Sequence, residues 1–235
     1  MPTPRKTPGA NLSPQAKPRR TSGRPAADAT VGRDVILDTT VRLLRTRTPE
    51  QLSILEIAAA AGVTRALVRY YFGDLKGLLR QVTEHLMRQL QDRMEAVLQT
   101  EGSVCDRLHH RLVLRLEFMR EHPHFERLAL SEIYHFDAGG EPEASGSPLH
   151  RITRRGLELT SMLFDQPQDA AVDPRFVHLL ILSVSAFIPT AEPLLVELFG
   201  KGPASERKVD EYLRFVSQLL ADRIQQGGRP EKRRG

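Results

Sequence analysis

From Arg33 onward, apolar residues recur every three or four positions, and no segment alternates apolar with polar residues at a period of two. Such a chain makes helices with one buried stripe and has no strands to pair into a sheet, so the expected class is all-α. In the first stretch Ile36, Leu37, Thr40, Val41, Leu43 and Leu44 fall on one arc, and the helix ends before Pro49. A second starts at Ser53, with Glu56 three residues on in the capping-box arrangement that satisfies two orphan backbone donors, and with Leu52 placed to staple it. It stops at Gly62, which tolerates the left-handed conformation of a tight turn, and Thr64 caps a third. After Phe72-Gly73-Asp74 a long helix is expected over 75–100, burying Leu78, Leu79, Val82, Leu86, Leu90, Met94 and Val97. Further helical stretches follow near 104–121, 124–136, 148–165, 174–188, 191–199 and 204–226, divided by Gly- and Pro-rich breaks, with Pro189 and Pro193 splitting what would otherwise be one helix.

The pair of short helices raises a chemical question, because the second carries bulky polar groups on its outer side. On a wheel of about 100° per residue, Thr64, Leu67, Val68, Tyr71 and Phe72 cluster together and Arg65, Ala66, Arg69 and Tyr70 oppose them. The first set packs back on the preceding helices. The second offers two guanidinium groups and a phenol around a small residue that lets the backbone approach a partner. Arginine's planar fork can bond a guanine edge bidentately or grip a phosphate, and tyrosine can reach a phosphate oxygen or a thymine methyl. Two short helices joined by a Gly-containing turn, the second so equipped, read as a helix-turn-helix.

These residues carry a resemblance. The segment from Ile36-Leu37-Asp38-Thr39-Thr40 through Ile57-Ala58-Ala59-Ala60-Ala61-Gly62-Val63-Thr64 to Tyr70-Tyr71-Phe72 resembles the tetracycline-repressor (TetR) family of bacterial transcription regulators, over about residues 33–82. The resemblance implies a homodimer whose two recognition helices enter successive major grooves of a roughly palindromic operator in double-stranded DNA. It implies DNA-contacting roles for Ser53, Thr64, Arg65, Ala66, Arg69, Tyr70 and Lys76. Two positions depart from the family pattern. Arg69 stands where most members carry a phosphate-binding tyrosine, and the common lysine after the recognition helix is Leu75, with Lys76 one position later.

Charge divides the chain unevenly. Residues 1–33 hold seven basic side chains against Asp28 alone, a net +6, whereas the whole chain is +5, so the remainder sums to −1. The basic character belongs to the N-terminal arm, 1–29, too rich in Pro, Ser, Thr and Gly to bury a core of its own. Such an arm is either a polyanion-binding tail or a solubilising leader. Under the family resemblance, Arg19, Arg20 and Arg24 become candidates to reach the minor groove beside the operator. The arm has no apolar core of a signal peptide, and no apolar run reaches the ~18–20 residues of a membrane span, so a cytoplasmic protein with no membrane partner is expected. The single Cys105 reads as a partly or fully buried thiol.

The expected organisation is then an arm at 1–29, a helix-turn-helix domain at 30–79, a helical ligand-binding and dimerisation domain at 80–226, and a basic tail at 227–235. In the third part the helix at 174–188 is apolar nearly all round, and 204–226 carries a broad apolar stripe. As the family pairs its last two helices with their symmetry mates, Phe176, Leu180, Phe187, Leu213, Val216 and Leu220 are the expected dimer contacts. A cavity among 104–121, 124–136, 148–165 and 174–188 would be lined by Arg115, Phe118, Met119, Tyr134, Met162, His178 and Ser183. Arg115 and His178 stand out there, since a polar group on an apolar stretch wants a partner. They suit an anionic or carbonyl-bearing, largely hydrophobic effector.

No Gly-rich phosphate loop, nucleophile elbow or paired-carboxylate motif occurs. His109-His110, His122, His124 and His135 crowd one region without the i, i+4 spacing of a helical zinc pair. No enzyme activity, cofactor or metal is therefore expected. The leading reading is a ligand-responsive repressor; the alternative is a ligand-insensitive DNA-binding protein, or an activator, with the same helix-turn-helix.

Overall fold

The computed structural model describes residues 26–99, 102–134, 146–164 and 172–226, and among them there are helices and no strand. The order is α1 (Ala26–Leu43), α2 (Ile54–Ala60), α3 (Arg65–Phe72), α4 (Leu75–Leu98), α5 (Val104–Glu121), α6 (Phe125–Ala129), α7 (Pro148–Ser161), α8 (Pro174–Thr190), α9 (Glu192–Phe199) and α10 (Pro203–Gln226). A single 3-10 turn, Pro49–Gln51, precedes α2. The expected helix over 124–136 instead ends early as α6 and relaxes into a π turn, Leu130–Tyr134. Helix α1 begins at Ala26, inside the segment expected to be an unstructured arm; Ala26, Ala27 and Ala29 are the best of helix formers. The tail expected at 227–235 lies outside the described residues.

Caps decide where most helices start. Ser53 Oγ accepts from the Glu56 N–H at 3.3 Å, Thr64 Oγ1 from Leu67 at 3.2 Å, Asp74 Oδ1 from Gly77 at 2.7 Å and Ser147 Oγ from His150 at 3.1 Å. At α5 the box is reciprocal: Ser103 Oγ accepts from Asp106 N–H at 3.1 Å, while the Asp106 carboxylate accepts from Ser103 N–H at 3.2 Å. Each such cap contributes about 1 kcal/mol of helix stability.

One continuous core runs through the chain, and α4 is its spine. Ile36 and Leu37 of α1, Ile57 of α2, Val68 and Phe72 of α3 and Leu78 and Val82 of α4 bury one another in the N-terminal part. Farther along α4, Leu86, Met87, Leu90, Met94 and Leu98 pack on α5, α6 and α7. Leu98 fills the place expected of Val97, which is only half-buried. The closing helix α10 lies along α5 and seals it with Val209, Leu213, Val216 and Ile224. Proline breaks the apolar run as expected: α8 and α9 are bent by 81° between Pro189 and Pro193.

Candidate functional site

Helix α3 is turned as its pattern dictates. Val68 and Phe72 are buried, Leu67 and Tyr71 half-buried, and Arg65, Ala66, Arg69 and Tyr70 exposed, Tyr70 to 79 %. Thr64, grouped with the inward set on the wheel, is an exposed cap. Burying Val68 and Phe72 stabilises the helix by roughly 1.5–3 kcal/mol each, enough to hold a two-turn helix that would not persist alone. The turn before it is closed by Gly62 at φ +66° and the one after it by Gly73 at φ +75°, both in the left-handed region. Lys76 is exposed on the first turn of α4, beside the same end of α3. Ser53 is half-buried, and its hydroxyl is engaged twice with Glu56, accepting from the N–H and donating to Oε2 at 2.8 Å. Arg19, Arg20 and Arg24 lie outside the described residues.

The outward face is thus a ridge of donors on a helix, narrow enough for the major groove of B-form DNA, with Ala66 leaving room for close backbone approach. A rear brace holds it: the Arg33 guanidinium lies over the Phe72 ring at 5.7 Å and bonds Gln81 of α4.

The second feature is a cavity of ≈ 360 Å³ enclosed by α4, α5, α7, α8 and the π turn. Its walls are mostly apolar, among them Met87, Leu90, Met94, Ile152, Leu159 and Ile181. Three of the expected lining residues, Arg115, Tyr134 and His178, border it. Phe118 and Met119 are buried away from it, Phe118 meeting Phe125 edge to face at 5.2 Å. Met162 is exposed, and Ser183 is exposed with its hydroxyl donating to Leu179 O at 2.8 Å. The exposed Thr153, Arg175 and Leu179 belong to the lining too, which puts the mouth between α7 and α8.

Sequence reasoning passes over Arg111, one helical turn before Arg115 on α5 and 2 % exposed. An arginine between Leu108 and Leu112, on a helix with many charges, has the pattern of a surface residue. The signal that finds it is that 111 and 115 share a face with 108 and 112. Arg111 donates through Nη2 to Thr160 Oγ1 at 3.1 Å, and its Nε and Nη1 have no partner. Burial, with Arg115 beside it, lowers its pKa to about 10, so it stays charged at neutral pH. Arg115 is better served. Its Nε donates to Ser185 Oγ at 2.6 Å and its Nη2 pairs with Glu126 at 3.4 Å. Burial raises the Tyr134 hydroxyl above its ordinary range, against the pull of Arg115.

His178 is the neutral member of this group. Burial and then the two arginines depress its pKa to about 4. Its Nδ1 lies 2.9 Å from Thr160 Oγ1, whose proton goes to the Gly156 carbonyl at 2.8 Å. The Thr160 oxygen therefore accepts from both His178 and Arg111. Gly156 makes room for the ring, since a Cβ there would stand 2.7 Å from His178 Cε1.

The third feature is an apolar face left exposed among the described residues. Of the fourteen large apolar side chains left exposed among the described residues, nine lie on α8, α9 and α10. Phe176 and Phe187 are among them, and Leu180 is exposed to 39 %. On α10 the outcome differs from expectation. Leu213 and Val216 face α5 inside the subunit, 2 % and 8 % exposed, and Leu220 is half-buried. The outward apolar stripe of α10 is instead Tyr212, Phe215 and Leu219. The stripe is broad enough to serve both faces, and only the packing of α5 chooses between them.

Two histidines of the crowded region make separate contacts. His109 meets Asp210 of α10 at 2.9 Å and the His122 ring lies tilted against Phe118 at 4.5 Å, while His135 lies outside the described residues. Cys105 is half-buried, and burial pushes its thiol pKa up.

Residues 36–82 match the sequence model for bacterial regulatory proteins of the tetR family. Among curated proteins none matches significantly. Solved structures of the same fold include a TetR-family transcriptional regulator from Pectobacterium atrosepticum, at TM-score 0.58 and 21 % identity over 88 % of this chain and 100 % of that one. A protein of unknown function from Rhodococcus sp. RHA1 superposes at TM-score 0.62 and 18 % identity, over 88 % and 99 % of the two chains. The fatty acid degradation regulator FadR from Bacillus halodurans aligns at TM-score 0.56 and 16 % identity, over 80 % and 94 %.

Proposed function

We propose that this chain, whose N-terminal domain belongs to the tetR family of bacterial regulatory proteins, is a transcriptional repressor that binds a palindromic operator as a homodimer and is released by a small effector. The observation that carries the reading is the division of α3, with Val68 and Phe72 locked in the core and Arg65, Ala66, Arg69 and Tyr70 free of it. Arg65 and Arg69 read base edges or phosphates, and Tyr70, Thr64 and Lys76 hold the backbone. The uncovered face of α8 and α10 seats the second copy, which sets the separation of the two recognition helices.

The cavity supports regulation over a ligand-insensitive role. Helix α4 starts at the end of α3 and, through Met87, Leu90, Gln91 and Met94, walls the cavity, so a ligand there presses on the element that positions the DNA-reading helix. The effector shifts the equilibrium between DNA-fitting and non-fitting spacings only by its differential affinity for them. Selection of duplexes from a random pool by the purified chain tests the reading. A palindromic consensus, bound weakly by Arg65→Ala and Arg69→Ala, is expected; enrichment of no sequence defeats it.

A further inference from the structure

The electrostatics of the cavity go further than an unspecified effector. Among the described residues its lining contains three arginines and no aspartate or glutamate. Arg175 at the mouth is answered by Asp173, its Nη2 lying 2.5 Å from Oδ2, and Arg115 by Glu126 at 3.4 Å. Arg111 has only the Thr160 hydroxyl, a neutral partner, and two of its nitrogens bond to nothing. His178 and Tyr134 are both neutral, and Gln91 is committed elsewhere, its Nε2 donating to Ile152 O at 2.9 Å. Among the described residues the cavity therefore holds one buried positive charge more than its walls neutralise. A charge so placed is costly unless something of opposite sign and matching donor geometry arrives.

We infer that the cavity takes a monoanionic amphipath, with its carboxylate on the guanidinium of Arg111 and its apolar body among Met87, Leu90, Met94 and Ile181. A carboxylate matches the planar fork and supplies the single charge that is lacking. A dianion would over-neutralise a wall whose other two arginines are already paired, and a cation would meet Arg111 and Arg115 head on. The volume falls in the range of small-molecule sites and the apolar lining asks for a hydrocarbon body. The inference rests on the effector reading of the cavity, yet binding can be measured without DNA.

The test is calorimetric titration of the purified full-length chain with decanoate, decanol, decyl phosphate and decyltrimethylammonium, with hexanoate to dodecanoate as a length series. Decanoate is expected to bind at least about tenfold tighter than decanol, the scale of a hydrogen bond to a charged group, and tighter than the phosphate or the cation. In Arg111→Met that preference should vanish, and the ligand-free variant should melt no lower than the parent because an unanswered charge has been removed. Equal or tighter binding of decanol, a preference for decyl phosphate, no binding of any carboxylate by folded protein, or an undiminished preference in Arg111→Met each overturns the inference. Should Arg111→Met fail to fold, the comparison of the four head groups on the parent chain decides alone. Carboxylate binding of the expected kind that leaves the selected duplex bound upholds the inference and refutes the effector role. Failure to select any duplex refutes the DNA reading and leaves the ligand result standing.

Discussion

The carbonyl oxygen of Phe72 stands where a side chain on Gly77 would begin: a Cβ built on Gly77 falls 2.2 Å from it. The last turn of α3 and the first turn of α4 therefore meet backbone to backbone, through a position only glycine can fill. Asp74 pins the same corner by accepting the Gly77 N–H at 2.7 Å.

Replacing Gly77 by alanine should separate the two helices. We expect a loss of roughly 1–3 kcal/mol, as for other overpacked sites, read as a lower melting temperature. Selected-duplex affinity should fall more than that loss accounts for, since the helix is displaced as well. Unchanged melting and unchanged affinity would show that the corner yields freely.

Arg65→Ala and Arg69→Ala should each weaken binding of the selected duplex by about 1–3 kcal/mol, the scale of a good base or phosphate contact. Neither should shift the melting temperature, because both side chains are exposed. If the loss for one residue is equal across all duplexes, that residue grips phosphate; if it is confined to one operator position, it reads a base.

Dimerisation should depend on which side of α10 is altered. Phe215→Asp with Leu219→Asp should give a folded monomer, as both are more than half exposed in the subunit. Leu213→Asp should unfold the chain, because it places an unpaired charge at a site 2 % exposed against α5. Sedimentation and thermal melting distinguish the two outcomes, and a dimer that survives the Phe215 and Leu219 changes would exclude this face.

Acid should destabilise the ligand-free protein. The folded pKa of His178 is about 4, below its ordinary 6.5. Between those values the unfolded chain takes up a proton that the folded chain refuses, so stability falls as pH drops from 6.5 to 4 and then levels off. His122 acts in the same direction, chiefly through burial. Melting curves of His178→Gln across that window should show a shallower decline than the parent, and an equal decline would assign the effect elsewhere.

Removing residues 1–25, which include Arg19, Arg20 and Arg24, should flatten the salt dependence of DNA binding. Each phosphate that the arm neutralises accounts for about one logarithmic unit of slope. An unchanged slope would leave the arm with a solubilising role.

Local chemistry is enough to specify the helix-turn-helix. The Ser53 and Thr64 caps, the turn at Gly62 and the spacing of Val68, Phe72, Arg65 and Arg69 each act within a few residues, so α2, α3 and their exposed face are legible in order along the chain. The cavity is legible only in part. Arg115 and His178 stand out as polar groups in apolar runs, but Arg111 does not, because its isolation depends on Thr160 and Gly156 of α7 and on Glu126 having paired with Arg115 instead. The same limit governs α10, where a stripe wide enough for two partners puts Leu213 against α5 and leaves Phe215 outside. Periodicity says that a face must be covered; which neighbour covers it, and which charge is left unanswered beneath, is decided only when distant segments meet.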